Sequence, residues 1–170
     1  MIDRETVRAG DVISNLLSFG SDREMTLSQM MIGDVINDSV SSLVIRENIN
    51  VSVIVEPNLP PVLGDGSQLI RALQNLAENA QDAINGHGNI TVEAERKEGS
   101  VQIRVSDSGS GINEENLESI FEPLYTAKSH GTGLGLAICR EIVGRHKGTI
   151  SVESTEGTGT TFTIEIPIAA

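Results

Sequence analysis

Apolar residues recur along this chain with two different periods, and the changes between them predict the order of helices and strands. Apolar positions three and four residues apart indicate helices over 28–46, about 65–84 and 133–146. Over residues 1–20 apolar side chains return every seven positions, which predicts one short helix with an imperfect heptad. So short a helix needs a partner to bury its apolar face.

The helix over about 65–84 has the clearest pattern. Asp65 is placed to cap its first turn, and Gln68, three residues later, completes a capping-box arrangement. Its apolar face comprises five residues, namely Leu69, Leu73, Leu76, Ala80 and Ile84.

Alternating residues predict strands over 50–55, 89–96, 101–106, 149–154 and 160–166. Between the third and fourth of these strands lies an irregular stretch, 107–131, with one short helical patch near 114–119. A connection of that length is usually functional or mobile. The order helix, strand, helix, hairpin, loop, helix, hairpin predicts an α+β fold in two layers.

Composition narrows the possible partners of this chain of 170 residues. Aromatic residues make up only 2%, so the core must be built from Ile, Leu, Val and Ala, and stacking platforms for single-stranded nucleic acid are scarce. A net charge of −12 without basic runs argues against nucleic acid and against direct membrane contact. No apolar stretch approaches the ~20 residues that span a bilayer, so we expect a cytoplasmic fragment. Cys139, the only cysteine, is predicted to be a small buried residue.

Three polar patterns carry candidate chemistry. Asn75, Asn79 and Asp82 follow helical spacing and form a stripe rotated away from the apolar face. Asparagine carbonyl oxygens suit a hard cation such as Mg²⁺, although a solvated helix face explains the stripe equally well by itself.

The second pattern is Asp107-Ser-Gly-Ser-Gly111, which directly follows a strand. A carboxylate there can accept a hydrogen bond from an exocyclic amine, and glycines let a flat ring approach the backbone. Alone, the pattern is also that of an ordinary turn.

The third pattern, Gly131-Thr-Gly-Leu-Gly-Leu136, opens the helix over 133–146. Unpaired N–H groups at a helix start suit phosphate oxygens, and Lys128 adds a nearby positive charge. The spacing is neither that of a P-loop nor that of a dinucleotide-binding fingerprint, which follows a strand directly.

In this order the patterns resemble the ATP-binding catalytic domain of sensor histidine kinases, a member of the Bergerat-fold superfamily. The resemblance covers nearly the whole chain. Its five motifs are the N box at 73–80, the G1 box at 107–111, the F box at 120–128, the G2 box at 131–136 and a last glycine motif at 159–162. It implies a mixed sheet covered by helices on one face, with a short N-terminal helix. It also implies a boundary near residue 20 between the end of a dimerisation domain and a catalytic domain over 21–170.

The resemblance assigns ATP and Mg²⁺ as cofactors and distributes roles over the motifs. Asp107 would bind the adenine amine with support from Thr160, and Asn79 would hold Mg²⁺ beside Asn75 and Asp82. Residues 112–131 would form an ATP lid anchored by Phe121. Catalytic roles would fall to Asn75, Asn79 and Lys128. The remaining nucleotide contacts would come from Gly109, Gly111, Ile112, Gly131, Thr132, Gly133, Leu134, Gly135 and Leu136.

The implied reaction transfers the γ-phosphoryl group of ATP to a histidine on a dimerisation domain, and a response regulator receiver domain is the later partner. His87, His130 and His146 lie outside any helical acceptor context. His146 is expected at a helix C-terminus, where positive charge is favoured. For His130 a contact to phosphate from the lid is the alternative.

ATPases of the same superfamily resemble one another in a glutamate four residues before the metal-binding asparagine. Here that position is Asn75, whose amide cannot accept a proton at neutral pH. Glu78 points about 100° around the helix from Asn79. Two alternatives stay open: a serine-kinase anti-sigma factor of the same fold, and a nucleotide-binding interaction module without turnover.

Overall fold

The computed structural model describes residues 24–126 and 131–169. The helix predicted over 1–20, together with Lys128 and His130, lies outside the described residues. The elements in chain order are β1 (Ser28–Met30), α1 (Ile32–Ser41), β2 (Ile49–Val55), β3 (Val62–Gly64), α2 (Gly66–Ala83), β4 (Gly88–Lys97), β5 (Ser100–Asp107), a short 3₁₀ helix (Glu114–Asn116), α3 (Gly135–Arg145), β6 (Thr149–Thr155) and β7 (Gly159–Pro167).

Five of the strands form one mixed sheet in the order β2-β4-β5-β7-β6. β2 runs parallel to β4, and the other neighbours are antiparallel. β1 and β3 form a separate antiparallel pair. The register of β5 and β7 puts Asp107 directly opposite Thr160. The predicted α+β class is confirmed.

The core lies between the helices and one face of this sheet. Alternate residues of β4, β5 and β7 are buried, such as Val92, Ile103 and Ile164, and they pack into one cluster with the apolar faces of the helices. The whole predicted apolar face of α2 is buried, so its helical period was interpreted correctly. None of the described helices is both long and apolar enough to cross a membrane.

The first of the longer helices is shorter than predicted at both ends. Instead of helix, Ser28–Met30 pairs with Val62–Gly64 as a strand. At the other end the Ser42 hydroxyl shares its one proton between two carbonyl oxygens, that of Asp38 at 2.8 Å and that of Ser39 at 3.0 Å. Hydroxyls that bond to nearby carbonyls compete with helix propagation, which accounts for the early end of α1.

The start of α2 differs from a simple capping box. The Asp65 carboxylate accepts from the backbone N–H groups of Ser67 at 3.1 Å and Gln68 at 3.3 Å, as predicted. The Gln68 amide, however, donates to the Asp65 carboxylate at 3.5 Å, and the Asp65 N–H donates to Nε2 of His146 at 2.9 Å. A distant histidine thus replaces half of the local motif.

His146 is buried at the end of α3, with Nδ1 2.7 Å from the carbonyl oxygen of Ile142. Since Nε2 accepts a hydrogen bond from Asp65, the ring proton must lie on Nδ1 for both bonds to form. The expectation of a positive charge favoured by the helix end is therefore wrong: the contacts of His146 call for the neutral ring.

Candidate functional site

The polar stripe of α2 meets the start of α3. Asn75 and Asn79, one turn apart on α2, are both half-buried. A Cβ built on Gly135 would lie 3.8 Å from Oδ1 of Asn75 and 3.9 Å from Nδ2 of Asn79. The structure therefore brings the first and third predicted patterns together, with only backbone on the α3 side.

Two features of this meeting point suit an anionic ligand. Leu134 precedes α3 and provides no side-chain capping hydrogen bond, which leaves the first N–H groups of the helix without a cap. The Nδ2 atom of Asn75 is buried and makes no hydrogen bond to a described nitrogen or oxygen atom, and the weakly accepting Cys139 thiol lies beside this side chain. A buried amide donor of this kind is costly unless a ligand or water satisfies it.

Asp82 lies further along the stripe, where its Oδ1 is 2.9 Å from the guanidinium group of Arg46. Both side chains are about half exposed, at 51% for Arg46 and 47% for Asp82, so the pair contributes little to stability. The ion pair holds the carboxylate towards Arg46, a contact that the sequence did not predict. The role of Asp82 beside phosphates stays a prediction.

Asp107 ends β5, and its Oδ1 accepts a hydrogen bond from the N–H of Gly109 at 2.8 Å. Gly109 packs against the end of α2, where a Cβ would lie 2.7 Å from the backbone of Ala83. The N–H of Ser110 donates to the Ala83 carbonyl oxygen at 3.0 Å. The second pattern is thereby fixed to the same helix that carries the asparagines, and any side chain at Gly109 would separate them.

The turn between β6 and β7 supports the G1 segment from the other side. Gly111 has φ +69°, and a Cβ there would overlap the carbonyl oxygen of Thr155. The N–H of Gly157 donates to the carbonyl oxygen of Ser110 at 2.7 Å. The turn that precedes the last glycine motif therefore supports the G1 segment through backbone contacts.

Ser154, which the sequence did not single out, completes that support. Its hydroxyl contacts the Ile112 N–H at 2.8 Å, the Gly159 carbonyl oxygen at 2.9 Å and the Thr160 hydroxyl at 2.9 Å. The register of β6 against β7 brings Thr160 to the serine and Ile112 comes from a distant part of the chain, so no local motif marks Ser154.

The predicted lid, 112–131, stays a prediction, and its proposed anchor Phe121 lies in the described part of the chain. The Phe121 ring is buried and meets Phe162 of β7 edge-on, with centroids 6.2 Å apart at 84°. The guanidinium carbon of Arg140 lies 5.9 Å from the centre of the same ring. Phe121 is thus part of the core rather than a wall open to ligand. Past it, the Leu124 N–H donates to the Gly133 carbonyl oxygen at 2.9 Å.

Other parts of the described chain offer no competing centre. A cavity of about 730 Å³ lies between α1 and the start of α2, lined by Met30, Met31 and Asp34 among others. A smaller one of about 440 Å³ lies on the outer face of the sheet. Neither contains a predicted site residue. Within 24–126 and 131–169 no three His, Cys, Asp or Glu side chains cluster as metal ligands.

The comparison with protein-family models matches residues 64–170 to the family described as histidine kinase-, DNA gyrase B-, and HSP90-like ATPase. Sensor histidine kinase ZraS of Escherichia coli (strain K12) is 39% identical over 168 residues, which cover 97% of this chain and 36% of ZraS. The chain therefore spans little more than a third of the length of that relative.

Solved structures of histidine kinases have the same fold as this chain. The catalytic domain of histidine kinase ThkA superposes with a TM-score of 0.75 at 32% identity, covering 85% of this chain and 97% of that one. ThkA in complex with the response regulator protein TrrA superposes with a TM-score of 0.82 at 27% identity, and the match covers 99% of this chain and 49% of that one. Full-length ShkA in complex with AMPPNP superposes with a TM-score of 0.86 at 26% identity, and the match covers 98% of this chain and 37% of that one.

Proposed function

This chain belongs to the histidine kinase-, DNA gyrase B-, and HSP90-like ATPase family and is a catalytic domain homologous to sensor histidine kinases; on that premise we propose that it transfers the γ-phosphoryl group of ATP to a histidine. The acceptor lies on the dimerisation domain of the same kinase, and a receiver domain of a response regulator takes the phosphoryl group next. ThkA, a structural neighbour, was solved with a response regulator protein, which supports this partner. The reaction takes place in the cytoplasm, where ATP is available.

The adenine end of the site is formed by Asp107 and Thr160. They are cross-strand partners, so their side chains lie on the same face of the sheet. A carboxylate accepts hydrogen bonds only, which suits the exocyclic amine of adenine. The tight approach of Gly109 to Ala83 and of Gly111 to Thr155 holds this carboxylate at the mouth of the pocket.

The phosphate end is formed by α2 and the start of α3. The N–H groups that follow Leu134 at the start of α3, which Leu134 itself does not cap, would bind an anion favourably, and the buried Asn75 amide, which has the weakly accepting Cys139 thiol beside it, would supply a further donor. Asn79, beside them, is the residue that would hold Mg²⁺ through its amide oxygen. Magnesium binds few protein groups and completes its shell with phosphate oxygens and water, so one amide ligand suffices. When bound, the ion supplies neutralisation of phosphate charge. Lys128 is assigned here by resemblance alone.

The asparagine at position 75 favours phosphotransfer over hydrolysis of ATP. An amide cannot take a proton from water, and Glu78, on the neighbouring position to Asn79, is exposed. The acceptor imidazole is itself a nucleophile, so this domain needs to contribute positioning and charge stabilisation only.

The observation that carries the proposal is that α2, which carries Asn79, contacts both the glycine segment that follows Asp107 and the start of α3. AMPPNP, which ShkA holds, is an ATP analogue and supports a nucleotide at such a site.

Calorimetric titration with ATP, ADP and GTP, each with and without Mg²⁺, tests the pocket. We expect saturable binding of the adenine nucleotides only. Asp107→Asn should weaken it about 100-fold or more, because an amide in place of a carboxylate loses a charge-assisted hydrogen bond and can present a donor to a donor. Equal affinity of the folded variant would overturn the assignment.

Radiolabel transfer from γ-labelled ATP to a separately added histidine-bearing dimerisation domain tests the reaction. Saturable ATP binding without any transfer would instead favour an interaction module without turnover.

A further inference from the structure

Ser154 lies at the end of β6, on the face of the sheet that carries Asp107 and Thr160. It is paired across the strands with Thr160, and Thr160 is paired with Asp107. Thr160 is only 4% exposed, so its hydroxyl must find its partners inside the protein or in a ligand. The three side chains form a row from the edge strand to the proposed adenine contact.

The hydrogen-bond directions in this row follow from counting protons. A serine hydroxyl has one proton and two lone pairs. The Gly159 carbonyl oxygen can only accept, so the Ser154 proton goes there, at 2.9 Å. The Ile112 N–H can only donate, so it takes one lone pair of Ser154, at 2.8 Å.

The remaining lone pair of Ser154 faces the Thr160 hydroxyl, 2.9 Å away. All three contacts are satisfied in one arrangement only, in which Thr160 donates to Ser154. Thr160 then has no proton left, and its hydroxyl offers only lone pairs to anything else that it meets.

We propose that Ser154 is a positioning residue that determines nucleobase specificity: it fixes the Thr160 hydroxyl as an acceptor, so that Thr160 and Asp107 together favour a base with a 6-amino donor. This inference rests on the proposed function, since it concerns the adenine end of the same site. The Thr160 hydroxyl accepts the hydrogen bond of the 6-amino group either directly or through one water.

The same serine connects the base to the lid. The N–H that it accepts belongs to Ile112, the first residue of the segment that leads to Phe121. A single hydroxyl therefore orients the base-reading threonine and holds the start of the lid.

The test compares the affinities of ATP and purine riboside triphosphate, which carries hydrogen in place of the 6-amino group, by calorimetry. The ratio of the two affinities isolates recognition of that group. In Ser154→Ala the Thr160 hydroxyl is free to rotate and donate, so the ratio should fall about fivefold, as expected for one neutral hydrogen bond. Ser154→Thr keeps the hydroxyl and should keep the ratio.

Ser106→Ala is the matched control. Ser106 pairs its hydroxyl with that of Thr161 at 2.9 Å on the other face of the same sheet, so its loss removes a similar hydrogen bond away from the pocket. The ratio should not change, whereas stability should fall as it does in Ser154→Ala. Ser154→Cys keeps the volume but bonds weakly, and it replaces the alanine variant if that one does not fold.

A double mutant separates specificity from general damage. Once Thr160→Val has removed the threonine hydroxyl, adding Ser154→Ala should lower the ratio no further. An unchanged ratio in folded Ser154→Ala, with the wild type still preferring ATP, would overturn this inference and leave the proposed function standing. A folded wild type that binds neither nucleotide would overturn both.

Discussion

Cys139 is buried to 0% exposure on α3, and its thiol donates to the carbonyl oxygen of Ala72 at 3.4 Å. Burial raises the pKa of this thiol from 9.0 to about 12. The thiolate, which is the reactive form, is therefore scarce at any pH at which the protein is studied. The sequence predicted this small buried residue from its apolar surroundings.

We expect native protein to resist alkylation by iodoacetamide at pH 8 and to react stoichiometrically in guanidinium chloride. The raised pKa also determines the direction in which the stability of the fold changes with pH. The favoured neutral thiol contributes fully below the unfolded pKa near 9.0, and the contribution is lost as the pH rises towards about 12. Rapid labelling of the folded protein, followed by mass spectrometry, would contradict the buried position.

Residues differ in how far sequence can predict their roles. Asn79 and Asp107 could be proposed from the sequence because spacing and neighbouring glycines mark them locally. Ser154 was not found, because its partners come from strand register and from a turn 42 residues earlier in the chain. His146 was assigned the wrong charge preference for the same reason, since a contact 81 residues away decides its tautomer.

At the scale of elements, the start of α2 depends on Asp65. Burial raises the pKa of its carboxyl, but the Ser67 hydroxyl and the backbone N–H groups of Thr26, Gln68 and Ser67 outweigh that effect and hold the pKa below the ordinary 3.8. A carboxylate at a helix start is further favoured by the helix dipole. Because the folded pKa is the lower one, the stabilisation is present above pH 3.8 and is lost as the pH falls through the folded pKa.

Asp65→Asn keeps a good capping side chain but removes the charge. We expect it to lower the free energy of unfolding by about 1 kcal/mol at pH 7. The difference from wild type should shrink as the pH falls below 3.8, which urea denaturation at several pH values measures. Asp34→Asn, in the exposed first turn of α1, is the control and should cost less. A difference that stays constant down to full protonation would refute the charge argument.

The two helices α1 and α2 show when an element can be predicted. Both have apolar residues at helical spacing. Only for α2 do the predicted bounds lie close to the observed ones, because a strong cap marks its start. Nothing local marks the pairing of Ser28–Met30 with Val62–Gly64, which takes the first residues of the predicted 28–46 helix. Tertiary pairing there outweighs helical preference.

At the scale of the whole molecule, the order of elements sufficed for the fold class. Each strand of the five-stranded sheet and each longer helix has its own clear period, so the α+β class followed without knowledge of contacts. The parallel pairing of β2 with β4 and the edge position of β6 are non-local, and periods do not encode them. The proposed site lies at the end of β5 and the start of β7, and the residues that support it there, such as Ser154, depend on strand pairing that local periods do not encode.

A nucleotide bound at this site would contact α2, the end of β5, the start of α3 and the start of β7. These elements contribute one continuous core, so they should unfold together. Since the unfolded chain cannot assemble the site, ATP should bind the native state only and stabilise the entire domain. At a concentration 100 times the dissociation constant, that stabilisation is about 2.7 kcal/mol.

For a domain of this size, such a stabilisation should raise the melting temperature by roughly 5–10 °C in a single transition. Differential scanning calorimetry with Mg²⁺ and ATP measures it. GTP at the same concentration is one control and should leave the melting temperature unchanged. Asp107→Asn with ATP is the other control: an affinity about 100-fold weaker leaves a stabilisation of about 0.4 kcal/mol, so its melting temperature should rise by no more than about 1–2 °C. Two separate transitions, with ATP moving only one, would show that the helices and the sheet are not one cooperative unit. The convergence on α2 would then be a property of one part of the chain, because contacts such as those of Gly109 with Ala83 could open without unfolding the sheet.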